Sequence, residues 1–401
     1  MKVLLVSPLC SRSVYRSSVP EALRTGQAMQ KFHRLLASGL GENGAQVHVL
    51  SAPPVEQLVG RWSYHPPADE EEGIAFTYTR TLRPRALGRV ARFWETVWRV
   101  WRGARAGADV VLADPMNVLP FIAAWVGTRL ARTPLVGVVA DVPTSYAGDV
   151  GSERISVARR VSGHMMTRAD AYVLLTAQMD ALVNPHARPS VVVEGIAQTT
   201  GRTGHRPAAE GAGPRVMLYA GGIRKAYGLD RLLEAFALVG DPDWEFHIYG
   251  GGSFASEFAA LAADVAGARY LGVKDNDVVV EEQERAALLV NPRLSGHEYT
   301  RYSFPSKIIE YMGSGVPTLT TRLPGIPDAY APYLLFFEDE SLQGMRRTLE
   351  QVFGMAEDER RAVGHRAQHW IATTKSARAQ AGVVLDLLTS VTRTPAATGR
   401  R

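Results

Sequence analysis

The chain has 401 residues, 46% hydrophobic and 21% charged, which suffices for two ordinary domains with separate cores and excludes a disordered chain. Its 45 Lys and Arg against 40 Asp and Glu give a formal charge of +5, a modest bias toward anionic partners. The basic residues are scattered and match no nucleic-acid-recognition module, so nucleic-acid binding is not expected. A single cysteine, Cys10, excludes an internal disulfide and fits a reducing, cytoplasmic setting.

Lys2 to Val6 is a short β-rich apolar run, the expected first strand of an α/β domain. The opening MKVLLVSPLC is shorter than a signal-peptide core and Pro8 interrupts it, so no secretory leader is expected. A dinucleotide-binding strand would run into G-x-G-x-x-G, but no glycine appears before Gly26, which argues against an NAD enzyme. Ala28 to Leu40 reads as a helix, Gly41 to Gly44 as a turn and Gln46 to Ser51 as a second strand. In Thr81 to Gly107, Val90, Phe93, Trp94, Val97 and Trp101 share a helical face, while Arg89, Arg92, Arg99, Arg102 and Arg105 supply charge. The favoured reading packs that aromatic stripe on a sheet, because the strand Asp109 to Leu112 follows and completes an ordinary α/β step. The alternative is a peripheral contact with an anionic membrane surface. No apolar run reaches the length of a membrane span, and the longest, Val118 to Val126, contains Pro120.

Leu135 to Ala140 is a buried strand followed by Asp141-Val142-Pro143-Thr144-Ser145. Ligands of open α/β sheets gather at strand carboxyl ends, so Asp141 is either a cleft residue, binding ligand hydroxyls or acting as a base, or a helix-capping acid. A helix over Val157 to Ala169 and strands over Ala171 to Leu175 and Ser190 to Val193 complete the first series. Apolar periodicity stops between Ala197 and Pro214, which reads as a linker. Arg215 to Ala220 then opens a second βαβ series, so the chain divides into an N-terminal domain (1–196), a linker (197–214), a second domain (215–374), a last helix (375–390) and a tail (391–401).

Gly221 and Gly222 let the second domain's first turn approach a ligand, and Arg224 and Lys225 place two cations before the helix Leu229 to Val239. Such a pair is either plain surface charge or a clamp for a leaving diphosphate, which gains charge as its bond to sugar breaks. Phe246 to Tyr249, Arg269 to Leu271, Ala286 to Val290 and Leu334 to Phe337 are further strands, with helices over Ser341 to Met355 and Ser376 to Leu388. Asp241-Pro242-Asp243 and Asp275-Asn276-Asp277 imitate a metal-binding D-x-D, but read as turn or capping acids. The most informative stretch is RYSFPSKIIEYMGSGVPTLTT, Arg301 to Thr321, which reads as a turn, a helix and a buried strand. Ser303 is the expected N-cap, Pro305 lies in the first turn, and Gly313, Gly315 and Pro317 stop the helix. A helix mouth beside basic residues is an anion site. Glu310, about two turns or roughly 8–10 Å further on, suits a ribose diol. Phosphate beside ribose suggests a sugar nucleotide.

SFPSKIIEYMGSGVPTLTT resembles the donor segment of retaining glycosyltransferases of the GT-B fold, family 4. That resemblance implies an α/β chain of two Rossmann-like domains around a cleft, with the last helix returning to the first domain. It implies transfer of a sugar from a nucleotide-diphosphate donor to a glycan, lipid-linked or small-molecule acceptor, with no metal or other cofactor. Glu310 matches the second Glu of the family's Glu-(seven residues)-Glu pattern, but the first falls on Tyr302, with Glu298 the nearest acid. By the same resemblance Arg224 and Lys225 hold the diphosphate, with N–H groups around Ser303 to Ser306 assisting, in a donor-binding turn that includes Phe304 and Pro305. Gly222 and the glycine turn at Gly250 approach the donor, and Val273 and Lys274 border its base. Ser11, Arg12, Tyr15 and Arg16, in the first strand-to-helix loop, face the acceptor with Asp141. A sugar-nucleotide 2-epimerase of the same fold and a non-catalytic nucleotide-sugar binder are the alternatives.

Overall fold

The computed structural model describes residues 1–18, 28–52, 62–141, 163–198 and 213–393. The chain divides into two compact units, Met1–Ile196 with Ser376–Arg401, and Ala197–Lys375.

The strands of the first unit are β1 (Lys2–Ser7), β2 (Gln46–Ser51), β3 (Ser63–Tyr64), β4 (Asp69–Glu71), β5 (Ile74–Tyr78), β6 (Thr81–Leu82), β7 (Val110–Ala113), β8 (Leu135–Val139), β9 (Ala171–Leu174) and β10 (Ser190–Val192). Its sheet has the order β10-β9-β8-β7-β1-β2-β5-β4, parallel except for the antiparallel edge β4, and β3 pairs with β6 apart from it. β1 is central because Val3 pairs with both Val47 and Val110. Runs such as VLLV and VVLA are apolar on both faces because helices cover both faces. The helices are α1 (Arg12–Ser18), α2 (Ala28–Glu42), α3 (Arg85–Arg105) and α4 (Val118–Ala131). Val3, Leu5 and Val49 pack with Leu36 and Leu40 of α2 and with Val384 and Leu388 of the chain's last helix. That last helix comes close because a Cβ at Gly39 would lie 2.1 Å from the carbonyl of Ala377.

The second unit holds β11 (Arg215–Ala220), β12 (Trp244–Tyr249), β13 (Ala268–Gly272), β14 (Leu288–Asn291), β15 (Thr318–Thr321) and β16 (Leu335–Phe337). They form a parallel sheet of order β13-β12-β11-β14-β15-β16. Around it lie α5 (Leu229–Val239), α6 (Ala255–Ala263), α7 (Asn276–Arg285), α8 (Ser306–Ser314), α9 (Leu342–Gly354) and α10 (Glu357–Thr374), and α11 (Ala377–Arg393) is the last helix, within the first unit. Trp244 stacks on Phe353 at 4.1 Å, and buried Phe246, Ile248, Leu288 and Val290 fill the core, each worth about 1.5–3 kcal/mol. In both units the chain winds one way from the first strand and then crosses to its other side, between β1 and β7 and between β11 and β14. Carboxyl ends at such reversals are where ligands of open α/β sheets bind.

Several expectations change. The short strands β3 to β6 and the helices α4, α6, α7 and α10 have no counterpart in the sequence reading. Ser303 is not an N-cap: α8 begins at Ser306 with Pro305 in the cap position. Proline drives the residue before it away from helical backbone, so Phe304 cannot open the helix. Glu310 therefore lies one turn into the helix, about 6 Å from its start, rather than two. The stretch Ser11 to Arg16 is largely the helix α1, not a loop. The aromatic stripe of α3 does not pack on the sheet. Trp94 and Trp98 are 62% and 48% exposed, and the buried side consists of Gly88, Thr96, Val97 and Val100. Val142 to Ser145, the first half of the helix expected over 157–169, most of the linker (199–212) and the tail beyond Arg393 lie outside the described residues.

Candidate active site

At the reversal of the second unit, β11 is followed by Gly221-Gly222 and β14 by Pro292-Arg293. The end of β11 is held firmly. The buried Tyr311 hydroxyl accepts the Ala220 N–H at 2.9 Å, and Tyr219 donates its hydroxyl to the Gly222 carbonyl at 2.8 Å. Gly250 follows β12 with φ +134°, and a Cβ there would lie 1.7 Å from the Gly221 carbonyl oxygen. Only glycine permits that approach. A Cβ on Gly221 would lie 1.1 Å from Lys307 Nζ, so the first-turn lysine of α8 reaches back against this turn.

Lys307 is half-buried, its Nζ 4.8 Å from the Tyr219 ring. Burial, then the neighbouring Arg293 cation, lowers its pKa from 10.5 to about 8, against a smaller opposing effect of Glu310. Arg293 lies over Tyr227 at 4.6 Å, and its Nη1 donates to Ser303 Oγ at 3.4 Å. Its buried Nε has no hydrogen-bond partner among the described residues. Two cations thus sit beside the start of α8, whose cap position supplies no side-chain bond to the first-turn N–H groups. Cations held close together, one with a depressed pKa, are a site prepared for a polyanion.

Of the residues singled out in the sequence, Arg224 and Lys225 are exposed on the same turn. Arg224 lies 5.9 Å from Tyr227, and Lys225 Nζ lies 4.0 Å from Glu257 and 5.7 Å from the Phe254 ring. Gly222 and Gly250 line the turn, and Val273 packs beside it, within 3.0 Å of where a Cβ on Gly251 would be. Lys274 is exposed beyond Val273. Ser306 and Glu310 lie on the exposed side of α8, Tyr302 is half-buried, and Glu298 is exposed in the 3-10 turn Glu298–Arg301. Phe304 and Pro305 are buried, with the Phe304 ring 5.4 Å from Tyr330, so only their backbone is available to a ligand. Lys307 and Arg293 were missed as site residues. The signal lay in the text: a basic residue directly after a buried strand, and a lysine in the first turn of the anion-binding helix.

In the first unit, the Ser11 hydroxyl is buried and accepts from Tyr78 at 3.0 Å, and Arg12 donates to Glu72 at 2.7 Å. Tyr15 packs against the core and Arg16 is exposed. Asp141 is exposed after β8. On the adjacent strand, Asp114 is buried at the carboxyl end of β7 and accepts from the Met116 N–H and the Asn117 amide. Burial, with a smaller contribution from Asp141, raises the pKa of Asp114 to about 6. A cavity at the ends of β1 and β2 is lined by Ser7, Ser51, Thr79, Thr96 and Asn117. Beneath it His33 Nδ1 lies 2.6 Å from Ser7 Oγ, and complete burial lowers its pKa to about 4.

Residues 214–351, which include this turn, both cations and α8, match the family described as glycosyl transferases group 1. This segment is a glycosyltransferase group 1 domain. No curated protein matches the chain by sequence. Among solved structures, sucrose-phosphate synthase from Thermosynechococcus elongatus has a TM-score of 0.67 at 15% identity, covering 97% of this chain and 98% of its own. A glycosyltransferase from Rickettsia africae gives 0.66 at 12%, covering 98% and 99%. Anabaena HepE, solved with UDP and glucose, gives 0.64 at 13%, covering 97% and 100%. The shared architecture is GT-B, two Rossmann-like domains with parallel sheets. Among the described residues no helix is long and apolar enough to cross a membrane.

Proposed function

We propose that this glycosyltransferase moves a hexose from a nucleoside-diphosphate sugar to a hydroxyl acceptor with retention of anomeric configuration. The observation that carries the reading is the convergence of Lys307, Arg293, the Gly221-Gly222 turn and the start of α8 at the sheet reversal of the glycosyltransferase group 1 segment. Lys307 and Arg293 take the diphosphate, with Arg224 and Lys225 closing over it from solvent. Glu310 accepts from the ribose diol, and Val273 and Lys274 border the base. Asp141, Asp114 and the Ser11–Arg16 helix serve the acceptor.

No dedicated covalent nucleophile is required. As the bond between the anomeric carbon and the diphosphate oxygen breaks, that oxygen takes the acceptor's proton while the acceptor oxygen bonds to the same face of the sugar. Cations fixed beside the leaving oxygen stabilise its growing charge without a metal ion. Because HepE was solved with UDP and glucose, UDP-glucose is the first donor to test. A calorimetric panel of UDP, GDP, TDP and ADP should give one nucleotide with micromolar binding, weakened tenfold or more in Glu310→Gln. Failure of all four to bind would remove the proposal.

A further inference from the structure

We propose that the outward face of α3 docks on a lipid bilayer bearing anionic headgroups. At 3.6 residues per turn, Leu87, Val90, Trp94, Trp98 and Trp101 fall within an arc of about 80°. All five are exposed, Leu87, Val90 and Trp94 by 64%, 58% and 62%. Three of the chain's seven tryptophans are therefore spent on a face that none of the described residues covers. Contiguous apolar surface of this kind marks an interaction site.

Charge identifies the partner. The helix carries six arginines and one glutamate, a net +5, which equals the formal charge of the whole chain, so the rest of the chain is balanced. The one acid is neutralised: Glu95 accepts from Arg99 and from the Arg80 N–H. Arg102 and Arg105 are exposed at the end of the tryptophan stripe, and the Arg102 guanidinium lies 5.2 Å from the Trp98 ring. A second tryptophan-bearing element adjoins the start of the helix. Trp62, 81% exposed, accepts the Arg83 N–H with its carbonyl. Indole rings settle at the boundary between headgroups and acyl chains, and arginines beside them bind lipid phosphates. A second copy of this chain would instead set arginine against arginine, since Arg102 and Arg105 adjoin the stripe and the helix as a whole carries +5.

The inner side of α3 explains why the outer side is free. Gly88 and Gly103 let the helix lie against Leu82 and Leu4, so small residues make the fold contact and the large ones remain outside. Thr96 on that inner side lines the cavity at the ends of β1 and β2.

The test is vesicle flotation of the full chain with phosphatidylcholine alone or mixed with phosphatidylglycerol. Binding is expected only to the mixed vesicles and should fall with added salt. Arg102→Glu with Arg105→Glu should weaken it at least 25-fold, taking about fivefold per lost arginine. Trp94→Ala with Trp98→Ala should weaken it roughly tenfold or more. The substituted side chains are exposed, so thermal melting and nucleotide binding should be unchanged in both variants. Wild-type tryptophan emission should also be quenched by brominated lipid in mixed vesicles, a readout that needs no variant. Absence of flotation with mixed vesicles, or equal flotation of wild type and both variants, overturns the proposal. A dimer abolished by the tryptophan pair, without vesicle binding, overturns it as well and makes the face an interface between copies.

Discussion

Replacing Lys307 by methionine separates folding from binding at the candidate donor site, because the two should move in opposite directions. Lys307 has an ordinary pKa of 10.5 that burial and Arg293 lower to about 8. The difference corresponds to at most about 3 kcal/mol disfavouring the cation in the empty site. Below pH 8 the native protein carries that whole cost. Between pH 8 and 10.5 the unfolded chain holds more protons than the native one, so stability rises with pH and the cost disappears. Methionine keeps the length of the stem without the charge. Lys307→Met should therefore raise the melting temperature at pH 7, on the order of 5 °C, with the gain gone by pH 10.5. A bound diphosphate needs the cation, so the same variant should lose roughly 10- to 100-fold in nucleotide affinity. Thermal shift with and without the nucleoside diphosphate, at pH 7 and pH 10, reads both effects. A variant less stable at every pH with unaltered nucleotide affinity would refute the reasoning and make Lys307 a packing residue.

The remaining expectations follow from single groups. Gly250→Ala should destabilise the second unit by more than about 2 kcal/mol in urea unfolding, since φ is +134° and its Cβ would strike the Gly221 carbonyl. Gly41→Ala, in α2 with nothing within 4 Å, should stabilise by about 0.5 kcal/mol. His33 and Asp114 should act oppositely on acid stability. His33, lowered to about 4, loses stability as pH falls from 6.5 toward 4, whereas Asp114, raised to about 6, gains stability as pH falls from 6 toward 3.8. Each amounts to about 3 kcal/mol, so the wild type should show a shallow slope in denaturant titrations between pH 4 and 6.5. Asp114→Asn should then show stability rising with pH, and His33→Gln falling with pH.

What the sequence made legible, and what it hid, divides along a physical line. Continuous apolar β-branched runs such as VLLV and VVLA announce strands covered on both faces, and β2 was read to the residue as Gln46–Ser51. The strand β4 escaped because Asp69–Glu71 carries only acids, tolerable at a sheet edge where no layer buries both faces. The start of α8 was misjudged because a serine at 303 outweighed the backbone restriction that Pro305 imposes on Phe304. Lys307 and Arg293 escaped because only the tertiary fold brings Lys307 against Tyr219, the Gly221 turn and Arg293, which are distant from it in sequence.

The α3 helix is the most instructive case. Periodicity gave its faces but not their direction, and the strand that follows at Asp109 to Leu112 suggested that the stripe of Phe93, Trp94 and Trp101 packs inside. Size argues otherwise. A helix can approach a sheet and a neighbouring strand only where its side chains are small, and Gly88, Thr96, Val100 and Gly103 recur on one side of α3. A Cβ on Gly88 would lie 2.3 Å from the Leu82 carbonyl, so that side must face inward and the tryptophans must face out. When a helix has two candidate apolar faces, the face lined by glycine is the one that packs, and the face lined by tryptophan and arginine is the one left for a partner.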